Sequence, residues 1–244
     1  MNQDIGRLAA LDIARSAALL GMVAFHIVFD LQMFGYVPYG ITAEPFFYWH
    51  ARTVAGSFLF LSGFSLWLAH GQAIRWPAFW RRWIKLAAAA ALVTAGTYAA
   101  FPDYFVYYGI LHSIAVSSLI GLAFLRLPAG ATAAAGAAVM AASYALPSDS
   151  FNAPLLRFLG LATEPAVTVD FEPIFPWLGP FLWGIAAAKA ASALRLLPRL
   201  ALPHSPVTRL LAWPGQHSLV IYLIHQPLLI GALQAFAFLS VWLF

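Results

Sequence analysis

The chain has no cysteine among its 244 residues. Disulfides, thiolate metal centres and a cysteine nucleophile are excluded, and redox compartment is left open. Charge is almost as scarce: 9% of residues are charged and 62% hydrophobic, where a soluble domain carries about 25% charged residues to cover its wetted surface. A surface that needs so little charge faces lipid. Lysine is confined to Lys85 and Lys189, and the last apolar stretch has none, which argues against a retinal Schiff base. There is no soluble linker, repeat or low-complexity tail. The length suits about seven spans of roughly 20 residues with short connections, and leaves no room for a soluble domain.

What is present is a series of apolar stretches, at 8–29, 53–70, 84–101, 107–126, 129–147, 174–193 and 217–242. The expected fold is all-α: a polytopic transmembrane helix bundle of about seven spans, forming one domain over 1–244. The fifth stretch is nearly all Ala, Gly and Val, so it is expected to pack closely against a neighbour and to carry little chemistry. The first is a poor signal peptide, because Asp12 and Arg15 interrupt it and no small-residue cleavage pattern follows. The net charge of +4 reads as loop asymmetry rather than nucleic-acid binding. Alternate connections carry Arg7; Arg75, Arg81, Arg82 and Lys85; Arg126; and Lys189, Arg195, Arg199 and Arg209. The opposite set has only Arg52 and Arg157, among Asp30, Glu44, Asp103, Asp149, Glu164, Asp170 and Glu172. The positive-inside rule then puts the N-terminus in the cytoplasm and the C-terminus outside.

The first span is the most informative. At about 100° per residue, Asp12, Arg15, His26 and Asp30 fall on one face roughly 60° wide, running about 27 Å from one end of the helix to the other. Charged groups in hydrocarbon cost several kcal/mol each, so this stripe must face the bundle interior or a watery cavity. Asp12 and Arg15, at i and i+3, can form a snorkelling ion pair. His26 and Asp30, at i and i+4, can make either a structural hydrogen bond or a general-base dyad in which the carboxylate orients the imidazole.

Further polar groups gather towards the outer side: His50 and Arg52 before the second span, Asp103, Tyr107, Tyr108 and His112 around the fourth, and Asp170 and Glu172 before a segment with Pro173, Pro176 and Pro180. Tyr108 and His112 share a helix face. His225 lies deep in the last span, beside Gln226 and Pro227. His70, His204 and His217 lie near the cytoplasmic edge, where solvation is the default. Arg75, Arg81, Arg82 and Lys85 form a cationic patch, suited to anionic membrane lipids or to the phosphates of a nucleotide-like donor.

Several segments resemble a known family. "RLAALDIARSAALLGMVAFHIVFDL" (Arg7 to Leu31) resembles the opening helix of the bacterial heparan-α-glucosaminide N-acetyltransferase-like membrane proteins. The spacing of Arg15 and His26 is similar to the first-helix pattern of wider integral-membrane acyltransferases. "FLFLSGFSL" (Phe58 to Leu66), "FPDYFVYYGILHSIAVSSLIGLAFL" (Phe101 to Leu125), "FEPIFPWLGPFLWGI" (Phe171 to Ile185) and "HSLVIYLIHQPLL" (His217 to Leu229) extend the likeness along nearly the whole chain. The resemblance implies an enzyme of the bacterial inner membrane. It would move an acetyl group from cytoplasmic acetyl-CoA to the amine or hydroxyl of a sugar or glycan-like acceptor on the far side. By position, His26 is then the catalytic histidine and Arg15 the basic partner in the donor channel. The lysosomal enzyme departs here: it has asparagine where His26 stands and its key histidine in the following loop, for which His50 is the counterpart considered in this chain.

The residue reading meets this activity at three points: a cationic cytoplasmic patch, an outer titratable pair and one polar face joining them. The expected site has His26, Asp30 and His112 in catalysis, with His26 taking the acceptor's proton and Asp30 stabilising the imidazolium. Arg15, Arg75, Arg81, Arg82 and Lys85 would hold acetyl-CoA, and His50, Tyr108, Asp170, Glu172 and His225 the acceptor. No metal is expected, and a homodimer is compatible with the sequence. A proton-coupled transporter would also need intramembrane Asp, His and Arg, though it would gain no stability from acetyl-CoA.

Overall fold

The computed structural model describes residues 8–203 and 205–243; Asp4, Arg7 and His204 lie outside the described residues. Within them the chain is all-helical, with eight α-helices and no strand. These are α1 (Ala9–Met33), α2 (Pro45–His70), α3 (Trp76–Ala100), α4 (Ile110–Phe124), α5 (Ala129–Ala145), α6 (Ile174–Ala193), α7 (Pro206–Gln216) and α8 (Ser218–Leu243). Each of the seven apolar stretches contains one helix. Four helices (α1, α2, α3 and α8) are long and apolar enough to cross a membrane, as expected of an integral membrane protein. The apolar helices α4 and α5 are shorter, at 15 and 17 residues, or about 23–26 Å.

Two boundaries differ from the hydropathy reading. α2 begins at Pro45 rather than 53, and α3 at Trp76 rather than 84. Hydropathy ends a stretch where His50, Arg52, Arg81 and Arg82 appear, but helical backbone bonding is indifferent to side-chain polarity, and proline in the first turn of each is preorganised for a start. The sequence reading also missed α7. This short helix is opened by Ser205, whose hydroxyl oxygen accepts the Thr208 N–H at 3.0 Å, with Pro206 at the first helical position. A Ser-Pro-x-Thr start is a legible N-cap, but the helix is amphipathic rather than apolar and so escapes a hydropathy scan.

The helices form two compact units, divided within α2 at Val54. The first contains the described residues up to Val54 and those from Leu200 onward, so that α1 packs against α7 and α8. At the α1–α7 crossing, a Cβ on Gly215 would lie 1.9 Å from the Asp12 carbonyl oxygen, so only glycine allows this approach. The loop after α1 folds back, with Gln32 Oε1 accepting both the backbone N–H and the hydroxyl of Thr42 at 3.1 Å.

The second unit, Ala55–Arg199, is built around α6. Phe181, Leu182, Ile185 and Ala188 on this helix are wholly buried. Gly63 of α2 lies against the Phe181 carbonyl and Gly184 of α6 against the Phe60 carbonyl, each so close that an added Cβ would clash at about 2 Å. The small-residue helix α5 packs closely against α6, as its composition predicts. Lys189 ties the turn between α4 and α5: its ammonium donates to the carbonyls of Phe124 and Leu127 at 2.6 Å and to Thr132 Oγ1 at 3.0 Å, closing a helix C-terminus with positive charge.

Candidate active site

In the first unit the polar stripe of α1 is met by polar residues of α7 and α8. At its N-terminal end Asp12 is buried, 2% exposed, and pairs with Arg15 at 2.7 Å. Gln216 donates to Asp12 Oδ2 at 3.5 Å, and Ser16 bridges from the Asp12 carbonyl to the Gly215 N–H. The expected ion pair is made, and α7 covers its carboxylate side.

At the other end the expected His26–Asp30 hydrogen bond is absent. His26 Nδ1 lies 2.9 Å from the Met22 carbonyl oxygen, one turn back. Asp30 is wholly buried and its Oδ1 accepts from Gln226 Nε2 at 2.7 Å. An imidazole at i already has a backbone carbonyl within its own helix, and the carboxylate at i+4 finds a better donor on α8. The ring facing His26 is that of His225, edge-on with centroids 4.8 Å apart. His225 Nδ1 is 2.6 Å from the Tyr222 carbonyl oxygen.

These bonds fix tautomers. A carbonyl only accepts, so Nδ1 carries the proton in both rings, and each neutral imidazole keeps its lone pair on Nε2. His26 is therefore set as a proton acceptor at Nε2. His50 is set the other way: Nε2 donates to the Gly21 carbonyl of α1 at 2.8 Å, leaving the lone pair on Nδ1. It shares a wide, open groove of about 450 Å³ with Pro45, Phe46, Trp49 and Thr53.

The second unit holds the remaining expected residues. His112 is spoken for at both nitrogens. Nδ1 accepts the Gly109 N–H at 3.2 Å. The Thr94 hydroxyl gives its hydrogen to the Val106 carbonyl at 2.7 Å, so the 3.2 Å contact between Thr94 Oγ1 and His112 Nε2 has the imidazole as donor. His112 thus closes the start of α4, and the bonds that hold it there leave no lone pair for a base. Asp170 lies at the same helix start, its Oδ2 accepting the Ile110 N–H at 3.3 Å, a favourable place for a carboxylate. Burial pushes its carboxyl up to about 6. Tyr108 is buried, bridges to Phe171 and accepts the Glu172 N–H at its carbonyl. The loop with Asp170 and Glu172 is therefore docked on the loop before α4. Arg75, Arg81, Arg82 and Lys85 are exposed around the start of α3, and Arg75 donates from Nε to the Ala69 carbonyl at 3.1 Å.

His225 and Gln226 were visible as a polar pair in an apolar helix, but their pairing with His26 and Asp30 joins residues about 200 positions apart, and one sequence carries no signal of that register. Gln216 was missed with α7.

The polar stripe of α1 thus holds an imidazole with an unshared Nε2 lone pair and a buried carboxylate, both met by polar groups of α8. The model of the family described as heparan-alpha-glucosaminide N-acetyltransferase, catalytic, matches residues 7–227. The chain belongs to this family, and is a membrane acetyltransferase by membership. No curated protein and no solved structure matches it.

Proposed function

We propose that the protein takes an acetyl group from cytoplasmic acetyl-CoA and delivers it to the amine or hydroxyl of a sugar or glycan-like acceptor on the outer side of a bacterial inner membrane. The chain crosses that membrane about seven times with its N-terminus inside, as the loop charges favour. The observation that supports the reading is the tautomer of His26, whose Nδ1 is held by the Met22 carbonyl so that Nε2 keeps its lone pair on a helix face where polar groups collect.

In this mechanism the acceptor's N–H or O–H gives its proton to His26 Nε2 while its heteroatom attacks the thioester carbonyl. The imidazolium that forms is favoured by the Asp30 charge one turn along α1 and needs no direct hydrogen bond to it. The carbonyl becomes an oxyanion and collapses with loss of the CoA thiolate, which is protonated as His26 is restored. Arg15 extends the positive path for the donor, and Arg75, Arg81, Arg82 and Lys85 suit the phosphates of CoA. His50, Tyr108, Asp170 and Glu172 are assigned to the acceptor.

The test is transfer of label from radioactive acetyl-CoA to glucosamine-containing acceptors by purified wild type and by His26→Ala. Transfer by the wild type and its loss in the variant support the assignment. Full activity in His26→Ala ends it, and stabilisation by acetyl-CoA separates an acetyltransferase from a transporter.

A further inference from the structure

α7 (Pro206–Gln216) has 11 residues and is about 16 Å long, roughly half the hydrocarbon thickness of a bilayer. One side of it is fixed against α1. Ala212 and Gly215 are buried there. Gly215 lies on the Asp12 carbonyl and donates its N–H to Ser16 Oγ at 2.8 Å, and Gln216 reaches the Asp12 carboxylate.

The opposite side is bare and apolar. Val207, Leu210, Leu211 and Trp213 are between 49% and 73% exposed. At about 100° per residue they fall in a sector roughly 160° wide, centred opposite Ala212. Pro206 and Pro214 complete that sector, and Arg209 and Gln216 stand at one border of it. Such a concentration of apolar surface on so short a helix marks an interaction face.

The neighbours of α7 fix what that face meets. Only His217 separates α7 from α8, and both α8 and α1 are long and apolar enough to cross a membrane. With 25 residues, α1 is about 38 Å long, so it overruns a hydrocarbon core of about 30 Å by about 4 Å at each end. Asp12 lies about 5 Å along the axis from Ala9. The crossing with Gly215 therefore falls at the boundary between headgroups and acyl chains, the depth at which tryptophan and arginine are favoured.

We infer that α7 is an interfacial helix whose Val207, Leu210, Leu211 and Trp213 face is seated in the lipid leaflet at the N-terminal ends of α1 and α8. A helix lying at this depth meets acyl chains on the side away from α1, and Arg209, at the border of the apolar sector, is placed for a lipid phosphate. The inference is independent of the acyl-transfer reading. It gives α7 two surfaces to serve: the leaflet on one side, and on the other the Asp12 carboxylate that Gln216 covers.

The absence of cysteine makes the native chain a ready background for the test. Val207→Cys, Arg209→Cys, Leu210→Cys and Leu211→Cys each carry one spin label, in the full chain reconstituted into vesicles of phosphatidylcholine and phosphatidylglycerol. Collisions with oxygen, which concentrates in hydrocarbon, are compared with collisions with a nickel chelate, which stays in water. Oxygen is expected to prevail at 207, 210 and 211 and the chelate at 209, a reversal within one helical turn. Prevalence of the chelate at all four positions places the face in water and overturns the inference. Protection from both agents, with dipolar broadening between labels, places a second copy of the chain on the face and overturns it as well. All four positions are exposed, and should one variant fail to fold, either Val207→Cys or Leu210→Cys read against Arg209→Cys decides; should Arg209→Cys fail, prevalence of oxygen or of the chelate at 207 and 210 decides.

Discussion

His26 and His112 both lie in apolar helices, and both could be named as bases from sequence. Their surroundings separate them. In the second unit His112 accepts a backbone N–H with one nitrogen and donates to Thr94 with the other, so its chemistry is used up in holding the start of α4. In the first unit His26 and His225 each use a single nitrogen on their own helix and keep the other lone pair. The same division runs through the seams. α6 meets α2 through glycines lying on carbonyls, a contact that depends on shape alone. α1 meets α7 and α8 through carboxylate, amide and imidazole groups, some of them left unpaired. A histidine with every hydrogen-bonding group engaged is part of the scaffold; one with a nitrogen in reserve is available for chemistry.

The largest effect is expected where that reserve is removed. His26→Gln should lower acetyl transfer by about 10²- to 10⁴-fold while leaving the melting temperature within about 4 °C of wild type; a large fall in melting temperature would mean that His26 is structural after all. The apolar seam should respond in the opposite way. Gly184→Val places a side chain against the Phe60 carbonyl and should cost about 3 kcal/mol or more of stability, read as loss of folded protein on size-exclusion chromatography. His112→Phe should cost roughly 1–2 kcal/mol through the orphaned Gly109 N–H, with kcat nearly unchanged; a deep loss of kcat at normal stability would restore His112 to the catalytic set.

Two weaker effects sharpen the comparison further. The Asp170 carboxyl is raised by burial from the ordinary carboxylate range to about 6, so the fold favours its protonated form. Its contribution to stability is therefore greatest at low pH and declines as pH rises from about 4 to about 6. The stability of wild type relative to Asp170→Asn should fall across that window and level off above it, as followed by thermal denaturation at each pH. Exchange of Arg81, Arg82 and Lys85 for Gln should raise KM for acetyl-CoA only a few-fold, because exposed charges act through screened water; an unchanged KM would assign the patch to lipid headgroups alone.

Hydropathy located every apolar helix among the described residues, because a helix in hydrocarbon must satisfy its own backbone and carry apolar side chains over its length. It misjudged the starts of α2 and α3 and passed over α7, where helical structure continues through aromatic and basic residues. The single polar face of α1 was legible from a 3.6-residue period alone, as was close packing of α5 from its small side chains. The partners across that face were not. Whether Asp30 bonds to His26 or to Gln226 depends on which residues of α8 lie opposite α1, and that register is set by packing between segments far apart in sequence. Sequence by itself thus determined a membrane helix bundle with one charged face that had to be buried. Only the tertiary structure decided which imidazole nitrogens stayed free, because a tautomer is fixed by the atom it bonds to, and that atom is chosen by the fold.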